Sequence, residues 1–310
     1  MPVLTEWFRR RPAAAINVAR PADYHAAGDL IRLWAETDRT HATRFAEPRM
    51  PETRMPDTSN TSDQRVPQYF IGVDVQMNRA CSYFVFDTAG AFVDSGWLAA
   101  KEVTRSPRTT SKFPAVKRGA KAVTTESELR RIVDELADGD VSRVAVGIDA
   151  PRQPLPSPRT HSYSAKRGWV PFGVDDLASG RHCEVAIAAL KLATPQWTPL
   201  ERNAKDWMKL GFRLFAELAD LKHVYEVFPS AAYAQLEHAP ERALTTMDLR
   251  VLRPGPKDMI DAMMAAYTTR EFVQGRGSEV GGGDGLGTIV LPRALSAEER
   301  GSAVLGWVAP

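Results

Sequence analysis

The sequence predicts an α/β protein: a mixed five-stranded sheet flanked by helices, behind a poorly ordered N-terminal extension. Three observations carry this expectation. Three β-like runs follow one another on short links between residues 68 and 99. The run over 143–149, continuously apolar from Val144 to Ile148, has the composition of a central strand covered on both faces. Beyond it, segments of helical and strand period alternate, as in sheets with helices on both faces.

Residues 1–66 read as an appendage. A short helix with an incomplete apolar stripe is expected over Tyr24–Thr37. The stretch from Pro48 to Pro67 is rich in Pro, Thr, Ser, Asp and Arg and nearly devoid of apolar residues, the composition of a disordered linker. The main domain, 67–310, opens with the apolar run 68–76. Runs 80–88 and 91–99 are joined by Ala89-Gly90, a hairpin-type turn, so the first three strands form an antiparallel meander. A helix is expected over 125–137, where Thr125-x-x-Glu128 reads as a capping box and Leu129, Ile132, Val133 and Leu136 form the buried stripe. Strand 143–149 follows, then helices near 181–193 and 204–221, strand 223–228, and helices near 230–237 and 257–273. A last short strand, Thr288–Leu291, comes after the glycine-rich stretch 281–287.

The formal net charge of the 310-residue chain is only +2, so any case for nucleic acid must rest on local patches. Two distant cysteines, Cys81 and Cys183, make neither a disulfide framework nor a zinc pair, and fit a reducing cytoplasm. No apolar stretch approaches the roughly 18 residues of a membrane span. Arg9-Arg10-Arg11 is followed by no continuous apolar segment, which argues against a secretory signal.

Acidic residues interrupt the apolar elements. Asp74 ends Tyr69-Phe70-Ile71-Gly72-Val73-Asp74, and Asp149 precedes Ala150-Pro151, where the pre-proline restriction holds an extended backbone. Glu226 is flanked by apolar residues in Val224–Phe228. Asp261 shares a helical face with Met264, Ala265 and Thr268. A carboxylate buried among apolar groups is costly unless it binds something. Phosphoryl transfer needs hard oxygen ligands for Mg²⁺ or Mn²⁺, and acids from separate segments converge well at neighbouring strand ends. Asp74, Asp149, Glu226 and Asp261 are therefore the expected metal-binding and catalytic residues. Asp258, in the first turn of its helix, reads as a helix-dipole partner instead.

These stretches, with Arg181-His182-Cys183-Glu184, Tyr225-Glu226-Val227-Phe228-Pro229-Ser230 and Ile289-Val290-Leu291-Pro292, resemble the ribonuclease-H-like superfamily. More narrowly they resemble the family catalogued as domain of unknown function 429, described as predicted nucleases. The resemblance spans about 68 to 293. It implies a ribonuclease-H-like fold and places Asp74, Asp149, Glu226 and Asp261 at the family's acidic positions. The family usually carries Gly and Arg soon after the first Asp; here Val75-Gln76-Met77-Asn78-Arg79 follows.

Two basic loops extend the expectation to substrate. Residues 101–121 hold Lys101, Arg105, Arg108, Lys112, Lys117, Arg118 and Lys121 against Glu102, the makings of a phosphate-contact surface. The loop after Asp149 carries Arg152, Arg159, His161, Lys166, Arg167, Trp169, Phe172 and Arg181, and basic groups interleaved with aromatics suit single-stranded or structured nucleic acid. The expectation is thus a Mg²⁺- or Mn²⁺-dependent nuclease. Its rivals are an ATP-dependent phosphotransferase on a related core and a non-catalytic binding domain that keeps the fold.

Overall fold

The computed structural model describes residues 66–77, 79–99, 123–164, 168–171, 180–237 and 257–301. Strands are β1 Tyr69–Asp74, β2 Cys81–Asp87, β3 Phe92–Leu98, β4 Val144–Asp149, β5 His161–Ser164, β6 Gly168–Pro171, β7 Val224–Val227, β8 Ser278–Gly281 and β9 Thr288–Leu291. Helices are α1 Thr125–Ala137, α2 His182–Ala189, α3 Asp206–Glu217, α4 Pro229–Glu237, α5 Lys257–Val273 and α6 Ala297–Arg300. The N-terminal extension to residue 65, the basic loop 101–121, Lys166, Arg167, Phe172 and the Trp169 side chain lie outside what is described. Among the described residues no helix is long and apolar enough to cross a membrane.

The main sheet has seven strands in the order β3-β2-β1-β4-β7-β9-β8, which corrects the expected five: all six strand runs named above join it, and β8 adds a seventh. β1, β2 and β3 form the antiparallel meander; β1, β4, β7 and β9 are parallel, and β8 returns antiparallel on β9. Ser278-Glu279-Val280-Gly281 buries only Val280, so the edge strand β8 leaves no apolar run to read. The hairpin β5–β6 forms a separate two-stranded sheet within the loop after Asp149.

Alternation along the central strands sends side chains to two cores. Ile71, Val73, Val146 and Ile148 pack with Leu129, Ile132 and Val133 of α1 and Leu210 and Leu214 of α3. Phe70, Phe84 and Ala145 pack on the other face against Met259, Met263 and Ala266 of α5 and Ala232 and Leu236 of α4. α1 starts one residue earlier than its expected box. Thr124 is the cap, its hydroxyl accepting from the Ser127 N–H at 3.1 Å while the Thr124 N–H donates to Ser127 Oγ. Glu128 instead accepts from the Ala99 N–H at the end of β3.

α5 is buried on nearly every side, the pattern of a helix enclosed by its domain. Two glycines on neighbouring strands admit it. A Cβ at Gly72 would lie 2.0 Å from the Ala262 carbonyl oxygen, and one at Gly147 would lie 2.0 Å from Thr269 Oγ1. Gly72 and Gly147 are register partners, so together they cut a notch in which the helix rests.

Candidate functional site

Two residues beyond the notch, in the same register, Asp74 stands beside Asp149. Adjacent strands lie about 4.8 Å apart, and in-register residues of parallel strands project to the same face. Each strand thus carries Gly-x-Asp: the glycine seats α5, and the aspartate emerges on the helix side at the strand's carboxyl end. Asp261 sits on α5 next to Ala262, the residue against Gly72. Asp74 and Asp261 are buried and Asp149 is half-buried, and all three line one open cleft of about 460 Å³. The cleft lies at the carboxyl ends of parallel strands, where ligands of open α/β sheets bind.

The segment after Asp74 holds that side chain. Gln76 Nε2 donates to Asp74 Oδ2 at 2.8 Å. Arg79 donates to Gln76 Oε1 at 3.0 Å and pairs with Asp258 at 2.9 Å. Asp258 is therefore committed to Arg79, and Ser82 Oγ donates to its backbone oxygen at 2.6 Å. Arg79 is the only basic side chain lining the cleft among the described residues. Cys81 lies behind this segment. Burial pushes its thiol up to about 12, against the hydrogen bond from Gln76, so it is no nucleophile at neutral pH.

Tyr233 of α4 joins the site without having been singled out from the sequence. Its hydroxyl donates to Asp261 Oδ1 at 2.7 Å. Burial, then the Asp261 charge and hydrogen bond, then the charges of Asp149 and Asp74, push the phenol well above its ordinary range.

Glu226 stands apart from this set. Its register partner is Ile148, not Asp149, so its side chain leaves the sheet toward α3. There both its oxygens accept from Arg181, at 2.7 and 2.5 Å, and the Arg152 N–H adds a bond of 2.8 Å. Glu184 takes the rest of the guanidinium at 2.8 Å and is itself held by the Thr198 N–H at 2.9 Å. Burial works against the charge on Arg181, but Glu226 and Glu184 outweigh it and keep the guanidinium firmly protonated. Glu226 and Glu184 border the cleft as members of an ion cluster, not as a cage with the aspartates.

The expected substrate-contact residues fall into structural roles or elsewhere. Arg181 is fully buried. Arg152 stacks on Phe215, 4.6 Å from the ring centre, and donates to the Val224 carbonyl. Arg159 pairs with Asp284, whose carboxylate also accepts the His182 N–H at 2.8 Å. His182 Nδ1 in turn accepts from the Gly283 N–H at 3.0 Å. Asp284, from the glycine-rich stretch 281–287, thereby fills the anion position at the start of α2. His161 lies on β5 near Thr160 Oγ1, at 3.0 Å. None of these four residues lines the cleft.

Among the described residues no three His, Cys, Asp or Glu side chains are grouped to hold an ion by themselves. The pair Asp74 and Asp149 still fits Mg²⁺, which binds through one or two carboxylates and fills its shell with water and substrate oxygens. No family model, no curated protein and no solved structure matches the chain, so its own geometry carries the functional reading.

Proposed function

We propose that the cleft binds Mg²⁺ or Mn²⁺ through Asp74 and Asp149, with Asp261 beside them, and that the protein is a metal-dependent phosphodiesterase of nuclease type on a ribonuclease-H-like core. The observation that carries this reading is the paired Gly-x-Asp register of β1 and β4. It places two carboxylates side by side at the rim of a cleft, where their mutual repulsion is relieved by a cation. The meander followed by parallel strands supports the ribonuclease-H-like part of the reading.

When bound, such an ion supplies charge neutralisation at a phosphoryl group and lowers the pKa of a coordinated water. The chain's own contribution is placement. Gln76 fixes Asp74 from the loop, and α5 carries Asp261 to the same cleft. Arg79, 31% exposed and bonded to Asp258 and Gln76, lines the same space and brings a positive charge suited to a phosphate group. Trp207 and Phe228 give the cleft apolar wall, which suits a nucleobase.

The test is a cleavage screen on single-stranded, duplex and branched DNA and RNA with Mg²⁺ and Mn²⁺, run beside Mn²⁺ calorimetry. Asp74→Asn is expected to abolish cleavage and Mn²⁺ binding while the thermal midpoint in EDTA stays near that of the wild type. Cleavage that survives in this variant would remove the proposal. Nucleotide-dependent stabilisation without any cleavage would move it to the phosphotransferase class.

A further inference from the structure

We infer that Tyr233 is a positioning residue of the cleft: its phenol orients the Asp261 carboxylate for the cation that Asp74 and Asp149 hold. The inference rests on the reading of the cleft as a divalent-cation site and names a contributor which that reading does not require. A buried tyrosine hydroxyl finds a partner, and a backbone carbonyl would serve. Here it meets a side-chain carboxylate of α5, the one that lines the cleft, at 2.7 Å. A bond from a neutral donor to a carboxylate is charge-assisted and roughly twice as strong as a neutral pair. With Oδ1 fixed, the plane of the Asp261 carboxylate is fixed as well.

The donor is itself held in place. α4 begins two residues after β7, whose Glu226 is clamped by Arg181. Ala232 and Leu236 seat the same helix against the α5 core, with Tyr233 packed beside them. The buried ion cluster on one face of the sheet and the aspartates on the other are thereby joined through a single short helix. That gives Glu226 a part in the site without making it a ligand: it fixes the strand end from which α4, and so Tyr233, is launched.

Mn²⁺ calorimetry on the full chain tests this with Tyr233→Phe, Asp261→Asn, the double variant and Asp74→Asn, each with a thermal midpoint in EDTA. Phenylalanine keeps the ring and its packing and removes only the hydroxyl. Groups that orient metal ligands change affinity by about 10–100-fold, so Tyr233→Phe is expected to weaken Mn²⁺ binding about tenfold. The double variant is expected to bind no more weakly than Asp261→Asn, because the phenol acts through that carboxylate. Unchanged affinity in Tyr233→Phe, or losses that add in the double variant, would overturn the inference while Asp74→Asn still loses binding and the cation site stands. Wild-type affinity in Asp74→Asn would overturn the site itself and the inference with it.

Discussion

A carboxylate gains meaning from its neighbours, and the four acids read from the sequence separate on that ground. Asp74 and Asp149 were legible because each ends an apolar strand, where a charge has no packing purpose. Their shared register was not, since it depends on β1 and β4 pairing across more than one intervening strand and helix. Glu226 was legible as an interruption but not as an ion-pair partner: Arg181 is 45 positions away, and a loop arginine reads as a substrate contact. Strand parity decides between the roles, because Glu226 aligns with Ile148 and so faces the α1–α3 core. The consequence is testable at Arg181. Replacing it with Met leaves Glu226 and Glu184 buried without their cation, and breaking a buried pair from one side costs about 3–5 kcal/mol. Chemical denaturation of Arg181→Met is expected to show a loss of that size. A loss below about 1 kcal/mol, the range of exposed pairs, would mean the cluster is wetter than its burial implies.

Between elements, the decisive contact is α5 against β1 and β4. The helix itself was readable from its length and from Met259, Ile260, Met263 and Met264, and the strands from their apolar runs. The closeness of approach was not readable, because a glycine within a strand marks either a bulge or a near backbone, and only the fold chooses. Weak elements were lost for a different reason. β8 buries a single side chain and draws its order from β9, and the β5–β6 hairpin lies in a loop dominated by charge and proline. The notch predicts a sharp response at Gly72. The added methyl of Gly72→Ala would meet the Ala262 carbonyl and the Ala266 nitrogen, at 2.0 and 2.2 Å, and backbone atoms cannot swing aside. Overpacking of this kind costs about 1–3 kcal/mol. For a domain of this size that lowers the thermal midpoint by about 2–4 °C per kcal/mol. Because α5 carries Asp261, Mn²⁺ affinity is expected to fall alongside stability. Gly139→Ala is the control for the helix-seating effect: a Cβ there meets nothing within 4 Å, although its φ of +82° adds local backbone strain of its own. A midpoint for Gly72→Ala equal to wild type would show that α5 can lift off the sheet without cost.

Across the whole molecule the near-neutral balance of +2 conceals a core that contains neutral acids as well as ion pairs. Cys81, Cys183, Tyr83 and Tyr233 are all pushed upward, burial being the leading cause in each. An acid whose folded pKa exceeds its unfolded value must stay protonated for the fold to persist. Its stabilising contribution is complete below the unfolded pKa and is lost as pH climbs toward the folded one. For Cys81 that window opens near the ordinary thiol value of 9.0 and closes at about 12, and Cys183 adds a loss of the same sign. The tyrosines extend it upward from their own ordinary value of 10.0. Thermal midpoints measured in EDTA, so that no cation intervenes, are therefore expected to fall progressively above pH 9. Cys81→Ala should soften that fall, since the small side chain removes the titrating group, while lowering the midpoint at pH 7 through lost packing. If the alkaline slope is the same in Cys81→Ala as in wild type, the thiol is not ionising with unfolding, and the buried environment assigned to the segment behind Asp74 is wrong.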